Sequence, residues 1–263
     1  MKQKQSVILE RRHKIKSLFA EHQMLQVSQI SKLLGVSELT IRRDLDALVQ
    51  EGFIERIHGG GKLISDSYPT VPVFKDKHTQ GQLQKQAIAS YIYTLVEDGA
   101  TVFLNAGTTT FEIIKKLKNK QVVIVTNNAL ACTVMDDSVA SLISTGGEYN
   151  QHNQSYTGIM AASLLQKMNA NICVLGVNGI TCDEGVTTSN YMETMINEEM
   201  LKRCKGLRIV AADGSKIGRI FNFASAAISS IDMLVTDSSA NMQELERIGA
   251  AGVKVVMADR VTG

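Results

Sequence analysis

Two clusters of polar residues in this chain of 263 residues have the types and spacing to do chemistry, and they suit different partners. After Ser37, residues Ile41, Leu45 and Leu48 share one side of a helix at 3.6 residues per turn, which makes that side the packed one. Leu39, Thr40, Arg43, Asp46 and Ala47 fall opposite, with Arg42 at the flank. In a DNA major groove, Arg42 or Arg43 can pair with guanine O6 and N7 or hold a phosphate; Leu39 fits a thymine methyl, and Thr40 suits either role. The alternative is an ordinary helical hairpin whose arginines face water.

The second cluster is Asn105-Ala106-Gly107-Thr108-Thr109-Thr110, joining a strand pattern to a helix pattern. It offers an anion free backbone N–H groups, a favourable dipole and hydroxyl donors. Thr108 or Thr109 is equally a competent N-cap, so these residues alone leave phosphate binding and plain capping open. The chain matches neither the P-loop nor the dinucleotide fingerprint. Equivalent strand ends carry Thr126-Asn127-Asn128, Gly146-Gly147-Glu148 and Asp213-Gly214-Ser215-Lys216, each also ordinary turn chemistry. Were the four to converge, they would suit one small, highly hydroxylated anion. Lys216 would supply charge, and Asp213 or Asn127 would accept from hydroxyls.

The elements that must position the first cluster are legible nearby. Ser28 is an expected N-cap, followed by an apolar stripe of Ile30, Leu33 and Leu34, with Gly35 at the left-handed end. Ser37 is the expected N-cap of the basic helix, with Glu38 favourable against its dipole. Residues 53–58 alternate as a strand, Gly59-Gly60-Gly61 can turn, and Lys62-Leu63-Ile64 returns. This is a wing whose tip carries Arg56, His58 and Lys62. His58 fits a phosphate donor, a turn histidine or, least well, a metal ligand, since no second His or Cys lies nearby. Upstream, Val7, Ile8, Ile15, Leu18 and Phe19 form the apolar side of an amphipathic helix available to pack beneath.

The second cluster needs a different frame. From about residue 82, helix patterns alternate with the apolar runs TVFLNAG, VVIVTN, SLISTGG, NICVLGVNGI, LRIVAAD, DMLVTD and VKVVMAD. Such runs predict a mainly parallel sheet covered on both faces, with its ligand crevice outside the carboxyl ends of the strands. Pro69 and Pro72, the only prolines, mark a linker over residues 64–76. The expected domains are therefore residues 1–63 and 77–263.

Charge follows the same division. Residues 1–63 hold 11 Lys+Arg against 7 Asp+Glu, and the other 200 hold 17 against 19. The basic end is the one that suits nucleic acid, though so modest an excess suggests that tight binding takes two copies. No run of 18 apolar residues and no signal-peptide core is visible, so a cytoplasmic protein without membrane association is expected. Cys132, Cys173, Cys182 and Cys204 show no CxxC spacing and read as reduced core thiols, with neither metal nor cofactor expected.

The stretch GVSELTIRRDLDALVQEGFIERIHGGG resembles the signature of the DeoR family of bacterial transcriptional regulators, and the later motifs follow in family order. The resemblance covers essentially the whole chain. It implies a winged helix-turn-helix followed by a Rossmann-like α/β domain resembling ribose-5-phosphate isomerase. It further implies a repressor of a carbohydrate operon, bound to double-stranded operator DNA and switched by a phosphorylated sugar or related metabolite. Ser37, Leu39, Thr40, Arg42, Arg43, Arg56, His58 and Lys62 would face DNA. The effector would lie among Asn105, Gly107, Thr108, Thr109, Thr110, Thr126, Asn127, Gly146, Gly147, Asp213 and Lys216. A homo-oligomer, dimer or tetramer, is expected, because such proteins read paired half-sites.

One departure is visible. Family members often carry a basic residue a few positions after the glutamate corresponding to Glu193, but here Thr194-Met195-Ile196-Asn197-Glu198 follows. Either the effector differs, or Asn197 simply lies on a solvated helix face. Two rivals accompany the main reading: an activator of the same architecture, and a sugar-phosphate isomerase or deaminase. The enzyme needs a carboxylate base. Where the isomerase carries an acidic motif this chain has Gly176-Val177-Asn178-Gly179, although Asp183 and Glu184 follow. The expectation is therefore not an enzyme.

Overall fold

In the structure, a computed structural model, residues 11, 12, 14, 15, 18, 19, 22, 24–50, 54–57, 59–63 and 80–260 are described. The chain divides into two compact units, residues 1–70 and 71–263. Val7, Ile8, His58, Pro69, Pro72 and the expected linker lie outside the described residues.

The first unit contains β1 (Met24–Gln26), α1 (Val27–Leu34), α2 (Glu38–Gln50), β2 (Ile54–Ile57) and β3 (Gly60–Leu63). Its core gathers Ile41, Leu45 and Leu48 from α2 with Val27 and Ile30 from α1, Ile54, and the helical residues Ile15 and Phe19. Helix α1 begins one residue before the expected cap. Gln26 is its N-cap, within a capping box closed by Gln29, so Ser28 is already helical. The buried pair is consequently Val27 and Ile30, while Leu33 is 61% exposed. Gly35 ends α1 with φ +65°, as a left-handed C-cap must.

The wing is three-stranded rather than two. β3 pairs antiparallel with both β2 and β1, so Gly60 and Gly61 lie within the ladder and the turn falls before them. A Cβ on Gly60 would sit 2.1 Å from the Leu25 carbonyl oxygen. The glycine there serves the close approach of β1.

The second unit continues with α3 (Gln82–Leu95), β4 (Thr101–Leu104), α4 (Thr108–Leu117), β5 (Val123–Thr126), β6 (Ser141–Ser144), β7 (Glu148–Asn150), β8 (Ser155–Thr157) and α5 (Ile159–Leu165). Then come β9 (Ala170–Gly176), β10 (Gly179–Thr181), β11 (Gly185–Thr188), α6 (Tyr191–Arg203), β12 (Cys204–Ala211), β13 (Phe223–Ala226), β14 (Met233–Thr236), α7 (Met242–Ala250) and β15 (Lys254–Met257). Seven strands form one parallel sheet in the order β15-β14-β12-β9-β4-β5-β6. β7-β8 and β10-β11-β13 make small antiparallel sheets that the sequence patterns do not announce.

Period-two alternation splits the core. Val102 and Leu104 join Ile88 and Ile92 of α3 and Ile113 and Ile114 of α4. Phe103, between them, faces the other way with Ala161 and Leu165 of α5, Ile196 and Met200 of α6, and Leu245 of α7. Because the strand order reverses beside β4, the crevice such sheets reserve for ligands falls between β4 and β9. All four cysteines are free thiols, with Cys173 buried but Cys132 exposed, so the expected core placement fails for Cys132.

Candidate functional site

Helix α2 presents a polar face opposite its buried stripe. Leu39, Arg42, Arg43 and Asp46 are exposed, and Thr40 is half-buried. Ser37 Oγ accepts from the Thr40 N–H at 3.4 Å and lies 2.9 Å from the Thr40 hydroxyl, so both side chains serve the helix start. Arg42 pairs with Glu38 at 3.7 Å. Arg56 of the wing pairs with Asp46 at 2.9 Å, and Lys62 with Glu55 at 3.4 Å. Arg43 makes no ion pair or hydrogen bond among the described residues. Beneath this face Asp44, only 2% exposed, accepts from Arg11 at 2.6 Å and Arg12 at 3.1 Å. That buried anchor went unnoticed in the sequence, where the signal was an acid one residue before Leu45 on the packed stripe.

At the strand-order reversal lies a cavity of about 250 Å³. Gly107, Thr108 and Thr109 form one wall. The first helical bond of α4 runs from the Phe111 N–H to the Gly107 carbonyl at 3.0 Å, leaving the N–H groups of residues 108–110 without a backbone acceptor. Asp213 and Lys216 face them from the end of β12. Asp213 caps the turn after β12 by accepting from the Ser215 N–H at 3.1 Å. The Lys216 ammonium has no hydrogen bond or ion pair among the described residues. Burial pushes its pKa below the ordinary lysine value, partly opposed by Asp213 and reinforced by Arg219.

The opposite wall comes from β9, β11 and α6. Glu193 accepts from Asn153 Nδ2 at 2.5 Å, and the Thr188 hydroxyl lies 2.8 Å from Glu193 and 2.9 Å from Asn178 Oδ1. Asn153 Oδ1 is buried with no partner. Asn197 also lines the cavity and is only 4% exposed. It accepts from Asn105 Nδ2 at 2.9 Å and donates to Ser225 at 3.2 Å, so it does not lie on a solvated face.

Gly107, Thr108, Thr109, Asp213 and Lys216 thus share one cavity, but other residues of the expected set do not reach its wall. Asn105 lies beneath, clamping Gly176 by accepting its N–H at 2.7 Å and donating to its carbonyl at 2.8 Å. Thr110 turns its hydroxyl back to the Asn105 carbonyl at 2.7 Å. Thr126 and Asn127 end β5, one strand beyond β4; Asn127 accepts from the Ala106 N–H at 2.7 Å and so braces the loop from behind. Gly146 and Gly147 follow β6, two strands from β4, roughly 10 Å at sheet spacing. Topology therefore carries both glycines away, and φ values of +61° and +112° give them a turn role instead.

The sequence reading missed Lys85, Asn153, Thr187, Thr188 and Ser239 as lining residues. Lys85 had a signal, a charge on the apolar stripe of Ile88, Ala89 and Ile92. Of the carboxylates considered for an enzyme, Asp183 is exposed and paired with Arg247 at 2.7 Å, and Glu184 is exposed. Among the described residues no cluster of His, Cys, Asp and Glu is placed to hold a metal ion, and no helix is long and apolar enough to cross a membrane.

Known proteins resemble both units. The profile of the DeoR C terminal sensor domain matches residues 80–238, and that of the DeoR-like helix-turn-helix domain matches residues 11–67. The HTH-type transcriptional regulator GolR of Listeria innocua is 31% identical over 95% of this chain and 98% of its own. The lactose phosphotransferase system repressor of Lactococcus lactis is 28% identical over 84% of this chain and 88% of its own. Ribose 5-phosphate isomerase a from Methanocaldococcus jannaschii aligns over 52% of this chain and 55% of its own, at 16% identity and a TM-score of 0.39.

Proposed function

This chain belongs to the DeoR family of helix-turn-helix transcriptional regulators, and from that premise we propose that it represses a carbohydrate operon and is switched by a phosphorylated sugar held in the cavity between β4 and β9. The observation carrying this reading is the division of the cavity into two chemistries. On one side stand the open N–H groups of α4, the hydroxyls of Thr108 and Thr109, and the ammonium of Lys216 without a partner, all suited to a phosphate. On the other, Glu193, Asn153 and Asn178 are acceptors and amides suited to hydroxyls. The name of the Lactococcus relative supports repression over activation. The outward faces of α2 and the wing would meet operator DNA, with Arg43 reading bases and Arg56 and Lys62 holding phosphates.

The test is thermal stability against a panel of sugar phosphates, each beside its unphosphorylated sugar and inorganic phosphate. A ligand at 100 times its dissociation constant adds roughly 2.7 kcal/mol, a visible rise in melting temperature. A rise confined to one sugar phosphate is expected and would identify the effector. No rise across a broad panel would overturn the assignment of the cavity and leave the DNA-binding face as the supported part.

A further inference from the structure

Lys85 stands apart from the other cavity residues, because its helix begins where the described part of this domain begins. It occupies the first turn of α3, is only 3% exposed, and sits on the apolar stripe of that helix. Its ammonium donates to the carbonyl of Gln80 at 2.5 Å, across the left-handed Gly81 (φ +60°) that starts the helix. Gln80, Gly81 and Gln84 line the same cavity. The polar end of Lys85 therefore faces two ways, toward the carbonyl of the incoming chain and toward a cavity holding Asp213 and Lys216.

Burying this ammonium costs desolvation, which lowers its pKa; Asp213 opposes that, Lys216 adds to it, and Glu112 opposes it. Glu112 is itself paired with Lys115 at 2.6 Å. Asp213 thus serves two lysines. A phosphate beside Thr108 and Thr109 would relieve the repulsion between them. It would also compete for Lys85, since a charge-assisted bond to phosphate is roughly twice as strong as one to a neutral carbonyl.

We propose that Lys85 couples the cavity to the rest of the chain: a bound anion draws the ammonium from the Gln80 carbonyl and resets the Gln80–Gly81 corner through which the chain enters α3. This rests on the reading of the cavity as an anion site. Coupling then needs no path across the domain, because one wall of the cavity is the point of chain entry. Its reach is limited by the difference in anion affinity between the two settings of the corner.

Hydrogen exchange of the full chain, with inorganic phosphate and with each sugar phosphate of the panel, tests this directly. Exchange at residues 82–88 should change at least threefold together with residues 108–111 and 214–217. Lys85→Met keeps the apolar packing of α3. In that variant residues 108–111 should still respond while residues 82–88 no longer do. A response at 108–111 and 214–217 with 82–88 unaffected in the wild type would overturn the coupling role and leave the anion site standing. So would a Lys85→Met protein responding like the wild type at 82–88. No response at any of these segments with any probe would overturn both.

Discussion

Arg43 differs from its neighbour Arg42 in having no carboxylate to hold it, since Arg42 is paired with Glu38. An arginine on the outward face of α2 without such a tether can offer its two-pronged donor edge to a guanine at little cost. Arg43→Ala should therefore cost about 1–3 kcal/mol of specific DNA affinity, concentrated at one position of the site. Titrations against single-base variants of a selected site would show it. An equal loss on every sequence, with a shallower salt dependence, would make Arg43 a phosphate contact. Lys216 carries a second prediction. Its pKa and that of Lys85 are lowered in the folded protein, so between the folded and unfolded values the unfolded chain binds more protons, and the ligand-free protein gains stability as pH rises. A phosphate dianion favours the ammonium forms and reverses this. Binding should thus take up protons, and affinity should fall as pH climbs toward the ordinary lysine value of about 10.4. Calorimetry in buffers of different ionisation enthalpy reads the uptake, and a pH-independent affinity over that range would remove Lys216 from the site.

Helices and strands tell a different story from the loops between them. Gly60→Ala would drive a methyl into the Leu25 carbonyl, 2.1 Å away, and must part β1 from β3. A cost of about 3 kcal/mol is expected from such overpacking, read by denaturant unfolding of the first unit. A neutral substitution would show that the wing does without its third strand. β1 was invisible in the sequence because three residues are too few to show a period. Parallel strands were plain, because burial on both faces forces runs such as VVIVTN. The cavity was half legible for a related reason: strand ends can be read along the chain, but which ends meet depends on strand order. Thr108 and Lys216 meet because β4 and β12 both flank β9. Gly146 looked equivalent to them, and the order of the sheet places it on the far side of β5. Asn197 and Lys85 lie mid-pattern on helices, where only a polar residue on a packed face gives them away.

At the scale of the whole molecule, a basic first part and a slightly acidic second part carry two binding functions that must share free energy. If a sugar phosphate weakens operator binding, its only means is a higher affinity for the arrangement that binds DNA poorly. The coupling is reciprocal: operator DNA must weaken the sugar phosphate by the same factor. Couplings of this kind run to about 1–3 kcal/mol, or roughly 5–150-fold. Calorimetric titration of the effector into free protein and into protein saturated with operator DNA measures one arm, and DNA binding at saturating effector measures the other. The two factors should agree within error. The ratio should fall toward one in Lys85→Met if that lysine transmits the signal, even where effector affinity survives. Unequal factors would mean that the ligand acts outside this cycle, by competing at the DNA-binding face or by changing the assembly of subunits. In the second case the discrepancy would vary with protein concentration, which a dilution series distinguishes from direct competition.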